Sequence, residues 1–226
     1  MTAFTGFPAA AWEFLDDLAA NNTSDHFDRN REQYRRNIAT PAATFVDALT
    51  PALQRSVHPA LHGDPRIGRS LFRINRDTRF GHDKTPYKTY IDFLFWIGND
   101  EPRHSPACII RLTSSTVLVG AGQIGLAGAA LDRYRDAVAG DDGEQLRDIV
   151  DRLITAGCEL SDPNRVRVPS PHRKNHPNAD LLRRDGFHLT HTGPHPAELD
   201  DDRFVAWTAT QLGEYGPLLD WLVRAR

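Results

Sequence analysis

Cysteine is nearly missing: Cys108 and Cys158 are the two in 226 residues, far apart and each among apolar neighbours. Two such thiols build no disulfide framework, and a reducing compartment is the natural expectation. Long apolar runs are missing too. The longest, 91–97, is interrupted by Asp92 and is much too short to span a membrane. The stretch from Met1 to Pro8 has neither the basic nor the apolar region of a signal peptide. These absences predict a cytoplasmic protein with no membrane partner. The chain also lacks Cys-x-x-Cys, His-Glu-x-x-His, Gly-x-Ser-x-Gly and a Walker phosphate loop. It therefore shows none of these metal-site or nucleophile motifs, and it implies no particular cofactor.

What is present is ordinary for a globular chain: 40% hydrophobic and 25% charged residues, enough to bury a core without staples. The net charge of −3 hides an asymmetry. Arg66, Arg69, Arg73, Arg76, Arg79, Lys84 and Lys88 face only Asp77 and Asp83 within one stretch, a local +5 that leaves −8 on the rest. A basic segment on an acidic background attracts an anion locally, while the negative total counts against a large nucleic-acid footprint.

Apolar spacing predicts helices over 8–21, from Ser24 or Asp25 to Ile38, and from a Thr40-Pro41 start through Leu53. The pattern then changes. Strands are expected at 71–74, 88–97, 107–113 and 116–121, the last two joined as a hairpin by Ser114-Ser115. Helices return at 127–139 and 144–156. Short strands are expected at 158–160, 165–168 and 187–190, and helices at 201–212 and 217–223. The order predicts an α+β fold in one domain over 1–226, with N-terminal helices, a central mostly antiparallel sheet and C-terminal helices with short strands.

The segment 73–88 carries the strongest signal. It reads Arg73-Ile-Asn-Arg76-Asp77-Thr-Arg79-Phe80-Gly-His82-Asp83-Lys84-Thr-Pro-Tyr87-Lys88. It resembles the hallmark of domain-of-unknown-function family 2461, hypothetical proteins with an Arg-x-x-Arg-Asp-x-Arg-Phe run, an acidic-Lys pair and a Tyr. The resemblance extends over nearly the whole chain. It includes an Asn-rich turn after the first helix, at Asn21-Asn22, and a His-Pro-x-x-x-Leu-Leu stretch from His176 to Leu182. An aromatic pair usual near the second helix is replaced here by His26-Phe27. The family brings no known activity.

Chemically, arginine offers a planar fork of donors that matches a carboxylate or phosphate. Arg73, Arg76, Arg79, Lys84 and Lys88 are the candidate anion ligands, with Phe80 and Tyr87 as ring faces. Asp77, Asp83 and His82 are the acid–base candidates if a reaction occurs. Three readings follow from the same residues. The segment binds a small phosphate- or carboxylate-bearing ligand; or it is a non-catalytic module for a nucleic-acid strand or an acidic protein surface; or it is a structural Arg/Asp network with no ligand.

Two other patterns weigh less. His58/His62, His172/His176 and His191/His195 have a zinc-like spacing of four, but each pair lies among proline or glycine, so loop histidines are expected. Gly120-Ala-Gly122-Gln-Ile-Gly125 imitates a dinucleotide fingerprint. Its preceding strands read as antiparallel with no βαβ unit, so a glycine-rich turn is expected.

Overall fold

The apolar, β-branched runs at 91–97, 107–112 and 116–123 form the middle of one sheet in the computed structural model, which describes residues 3–79, 83–98 and 102–225. In chain order, helix α1 (Ala9–Ala20) precedes the short α2 (Ser24–Arg29) and α3 (Arg31–Tyr34), a π-helical turn over Arg35–Ala39, and α4 (Thr40–Ser56). Strands β1 (Leu61–His62), β2 (Ile91–Ile97), β3 (Ala107–Leu112) and β4 (Thr116–Gln123) follow, then helices α5 (Gly128–Ala139) and α6 (Asp142–Thr155). The rest comprises β5 (Glu159–Leu160), α7 (Ala179–Leu182), β6 (Phe187–Pro194), α8 (Arg203–Gly213) and α9 (Gly216–Arg224). The six strands lie in the order β1-β2-β3-β4-β6-β5, and every neighbouring pair is antiparallel. Helices at both ends of the chain around this sheet make an α+β fold.

Side-chain alternation along the strands gives the sheet two different faces. Phe93 and Phe95 of β2, Ile110 of β3, Val119 of β4 and Leu189 of β6 are buried on one face. They belong to one hydrophobic cluster with Phe45 and Leu49 of α4, Phe204 of α8 and Trp221 of α9. Each such side chain contributes about 1.5–3 kcal/mol through removal from water, so this face holds the sheet to its helices. The other face carries Asp92, Leu94 and Trp96 of β2 with Ala107, Ile109 and Arg111 of β3, paired across the two strands. Its small cluster of Leu94, Trp96, Ala107, Phe72 and Ile109 contains no helical residue. That face is open.

Several expected elements differ, each for a local reason. The single helix expected from Ser24 to Ile38 breaks at Asn30, whose side-chain amide donates to the His26 carbonyl oxygen and competes with the helical pattern. The expected helix does begin at Thr40-Pro41, with Pro41 in its first turn, but without a side-chain cap. The chain enters α4 through the π turn, which accommodates the missing N–H of Pro41. In place of the strand expected at 71–74 there are isolated bridges, Leu71 with Phe93 and, just beyond it, Asn75 with Tyr87. Pro86, directly beside that pairing, has no N–H to extend a ladder. Residues 165–168 form no strand, and Val166 is 89% exposed: a strand there would bury nothing. β1 lies within what reads as a loop. No helix among the described residues is long and apolar enough to cross a membrane.

Candidate functional site

The open face of the sheet holds two charges that a strand interior tolerates only when paired. Asp92 and Arg111 stand directly opposite on β2 and β3. Arg111 donates from Nε to Asp92 Oδ1 at 2.6 Å and from Nη2 to Oδ2 at 3.1 Å. Lys88 brings a second cation, its Nζ 3.6 Å from Asp92 Oδ2. The Tyr90 ring lies 3.9 Å from the Arg111 guanidinium and 5.7 Å from Lys88 Nζ, and Lys88 is also 5.2 Å from the Phe72 ring. Burial works against the charge of Arg111, but the hydrogen bonds and charge of Asp92 outweigh it and raise its pKa.

Phe72, Lys88, Asp92 and Arg111 border a cavity of about 480 Å³ on the open face. Its walls are mainly apolar, with Phe72, Leu94, Ile109, Leu118 and Ile124, while Gly122, His188 and Thr190 line the side toward β6. That volume falls within the usual range for small-molecule sites. Burial, and then the charge of Arg184, push the pKa of His188 down, so its imidazole is neutral at pH 7.

The glycine-rich run explains the bare part of this surface. Gly120 and Gly122 lie inside β4, not in a turn, because the strand continues to Gln123. A Cβ on Gly120 would sit 2.3 Å from the Leu189 carbonyl oxygen, and one on Gly122 would sit 2.2 Å from that of Phe187. β4 and β6 approach too closely for any side chain there. The run leads into α5 after an antiparallel strand, so it lacks the parallel βαβ setting of a dinucleotide site. A second cavity of about 480 Å³ lies at the start of α5, lined by His104, Gln123, Ala127 and Arg133.

The candidate residues of the segment 73–88 separate into groups. Arg76 donates to Asp83 at 2.5 Å and to Thr85 Oγ1 at 3.1 Å. Arg79 pairs with Asp77 through bonds of 2.9 and 2.7 Å, and Lys84 donates to the Thr78 carbonyl oxygen at 2.7 Å. Arg73 is exposed. Hydrogen bonds from Arg79 hold the Asp77 carboxyl at about 2, and the backbone and hydroxyl of Thr85, then Arg76, hold Asp83 low. Neither aspartate lines the cavity. Phe80 and His82 lie outside the described residues. Among the described candidates of the segment, Lys88 reaches the cavity.

Tyr87 faces the core, 6% exposed, its ring stacked 4.2 Å from that of Phe27. Asn22 bonds both backbone groups of Tyr87. The Asn-rich turn and Phe27 thus meet Tyr87 in space, and they anchor the segment whose end presents Lys88.

Of the paired histidines, His58, His176, His191 and His195 bond to backbone through their rings. His176 Nδ1 accepts from the Asn178 N–H, and His191 and His195 contact the carbonyl oxygens of Gly157 and Thr113. No group of three His, Cys, Asp or Glu side chains fit for a metal occurs among the described residues. Burial pushes the Cys108 thiol up to about 12, which leaves it unreactive. The cavity residues outside the segment, Arg111, Asp92 and His188, had one sequence signal: Asp92 and Arg111 are charges inside apolar strand runs and so required partners.

The fold and the cavity define an α+β protein with an antiparallel sheet, helices packed on one face and a charged-rim cavity on the other. The chain belongs to the family of conserved hypothetical proteins DUF2461, whose model matches residues 10–221. No curated protein matches the chain at a significant level.

Proposed function

We propose that the protein binds a small anionic ligand, a carboxylate or phosphate on an apolar body, in the cavity on the open face of the sheet. Lys88 and Arg111 meet the anion, and Phe72, Leu94 and Ile109 receive the body. The observation that carries this reading is that two cations share one carboxylate, Asp92, at the rim of an apolar cavity. Both cations stand in surroundings that strengthen their pull on an anion relative to water. Arg73, Arg76, Arg79 and Lys84 add to the positive field of the adjoining segment.

For the rest of the segment the ion pairs Arg76–Asp83 and Arg79–Asp77 favour a structural role. They are exposed, so they shape the loop more than they stabilise the fold.

The test is a thermal-shift panel of nucleotides, sugar phosphates and aromatic and aliphatic carboxylates. A ligand at about 100 times its Kd adds roughly 2.7 kcal/mol, which is readily seen. The shift is expected to survive Arg79→Ala and to vanish in Lys88→Met and in the pair Asp92→Asn/Arg111→Met, which leaves no carboxylate alone. No shift with any anion, or a shift that survives the cavity variants, overturns the reading.

A further inference from the structure

We infer that His188 reads an uncharged hydroxyl group on the ligand, at the end of the cavity away from Lys88 and Arg111. The inference rests on the anion-binding reading above and adds the far end of the molecule that binds. The register of the sheet sets the two ends apart. Ala107 of β3 stands opposite Gly122 of β4, and Gly122 stands opposite His188 of β6. Arg111 lies further along β3 on the same face as Ala107. At about 3.4 Å per residue and about 4.8 Å per strand, the Cα atoms of Arg111 and His188 are roughly 17 Å apart. Both residues line the cavity. Between them the floor is apolar or bare. Ile109 and Ala107 offer no polar side-chain atom, and Gly122 has no side chain to close the path toward His188.

The surroundings of His188 select the group. Ser161 fixes its backbone from the outer side: the Ser161 N–H donates to the His188 carbonyl oxygen at 3.0 Å, and Ser161 Oγ accepts the His188 N–H at 3.2 Å. Neither nitrogen of the half-buried ring has a hydrogen-bond partner among the described residues. A ligand group that supplies such a partner gains affinity there. Burial, and then the charge of Arg184, keep the imidazole uncharged at pH 7. Arg184 is itself 5% exposed and donates to the Ser161 carbonyl oxygen, which holds its charge behind Ser161. A neutral imidazole presents one N–H donor and one bare nitrogen acceptor. A hydroxyl meets either of them, as acceptor or as donor. It also brings no second charge for an apolar floor to bury.

Four naphthalene probes test this by calorimetry near pH 7.5: the carboxylate and the phosphate monoester, each with and without a hydroxyl at the opposite end of the ring system. Both anions are used because the inference concerns the other end of the ligand. The readout is the ratio of affinities, hydroxylated over plain, for the anion that binds more tightly. That ratio should be roughly fivefold or more, the scale of one net hydrogen bond, and should fall to near one in His188→Leu. A ratio near one in the unaltered protein, or one that persists in His188→Leu, overturns this inference and leaves the anion-binding reading standing. No binding by any of the four overturns both. If His188→Leu does not fold, nitrogen NMR of the His188 ring in the unaltered protein decides. The hydroxylated probe should move a ring nitrogen well beyond the shift that the plain probe causes. Equal shifts overturn the inference.

Discussion

Asn22 holds Tyr87 by its backbone as a neighbouring strand would. Its Nδ2 donates to the Tyr87 carbonyl oxygen at 3.0 Å, and its Oδ1 accepts the Tyr87 N–H at 3.0 Å. One side-chain amide thereby satisfies both polar groups of a residue whose ring is buried against Phe27. This contact ties the end of α1 to the segment that delivers Lys88.

Asn22→Ala should therefore destabilise the protein by about 2 kcal/mol, since both backbone groups of Tyr87 lose their partner. Asn22→Asp keeps the acceptor but sets a carboxylate against the Tyr87 carbonyl, and should recover little. Urea denaturation of the three proteins measures this. A midpoint unchanged in Asn22→Ala would show that the contact is not holding the segment.

Gly122→Ala should cost at least about 2 kcal/mol, because the added methyl meets the backbone of β6 and not a movable side chain. Gly128, also in the glycine-rich stretch, has open space around the position of a Cβ. Its φ of +53° still strains an alanine, but without a clash, so Gly128→Ala should cost less. Equal losses at the two positions would contradict the close approach of β4 and β6.

His188 should titrate below its ordinary value of about 6.5, as burial and then Arg184 dictate. The unfolded chain then takes up the proton first as pH falls. The neutral imidazole contributes its stability in full above about 6.5, and that contribution declines as pH drops toward the folded pKa. NMR titration of the ring reads this directly, and His188→Gln should flatten the stability loss on the acid side of 6.5. A ring that titrates at or above 6.5 would mean that the cavity wall is hydrated and open.

Asp77 should remain ionised at pH 3, because hydrogen bonds from Arg79 hold it at about 2. Its contribution to loop order is present above the ordinary carboxylate value of about 3.9 and is lost as pH falls toward 2. In Arg79→Ala the carboxyl should return toward its ordinary value, followed by carbon-detected NMR of the side chain. A normal titration already in the unaltered protein would show that the pair does not persist in solution.

The sequence by itself determined the elements with a strong periodic signal. The run 91–97 and its successors are β-rich and joined by short links, so an antiparallel sheet followed. The helices at 9–20 and 142–155 bury one apolar face each, and their period shows it. It also located the basic segment, but it did not single out Arg111 and marked Asp92 only as an interruption of the apolar run. What the tertiary structure decided is which residues meet. Asp92 and Arg111 are 19 residues apart and become partners only through the register of β2 on β3. His188 reaches the same cavity because β6 crosses back to pair with β4. Tyr87 read as a ring for a ligand, yet it is consumed by Phe27 and Asn22, contacts across about 60 residues that no local pattern encodes. Gly120 and Gly122 read as a turn for a related reason. Glycine marks a close backbone approach as readily as a bend, and only the neighbouring strand shows which.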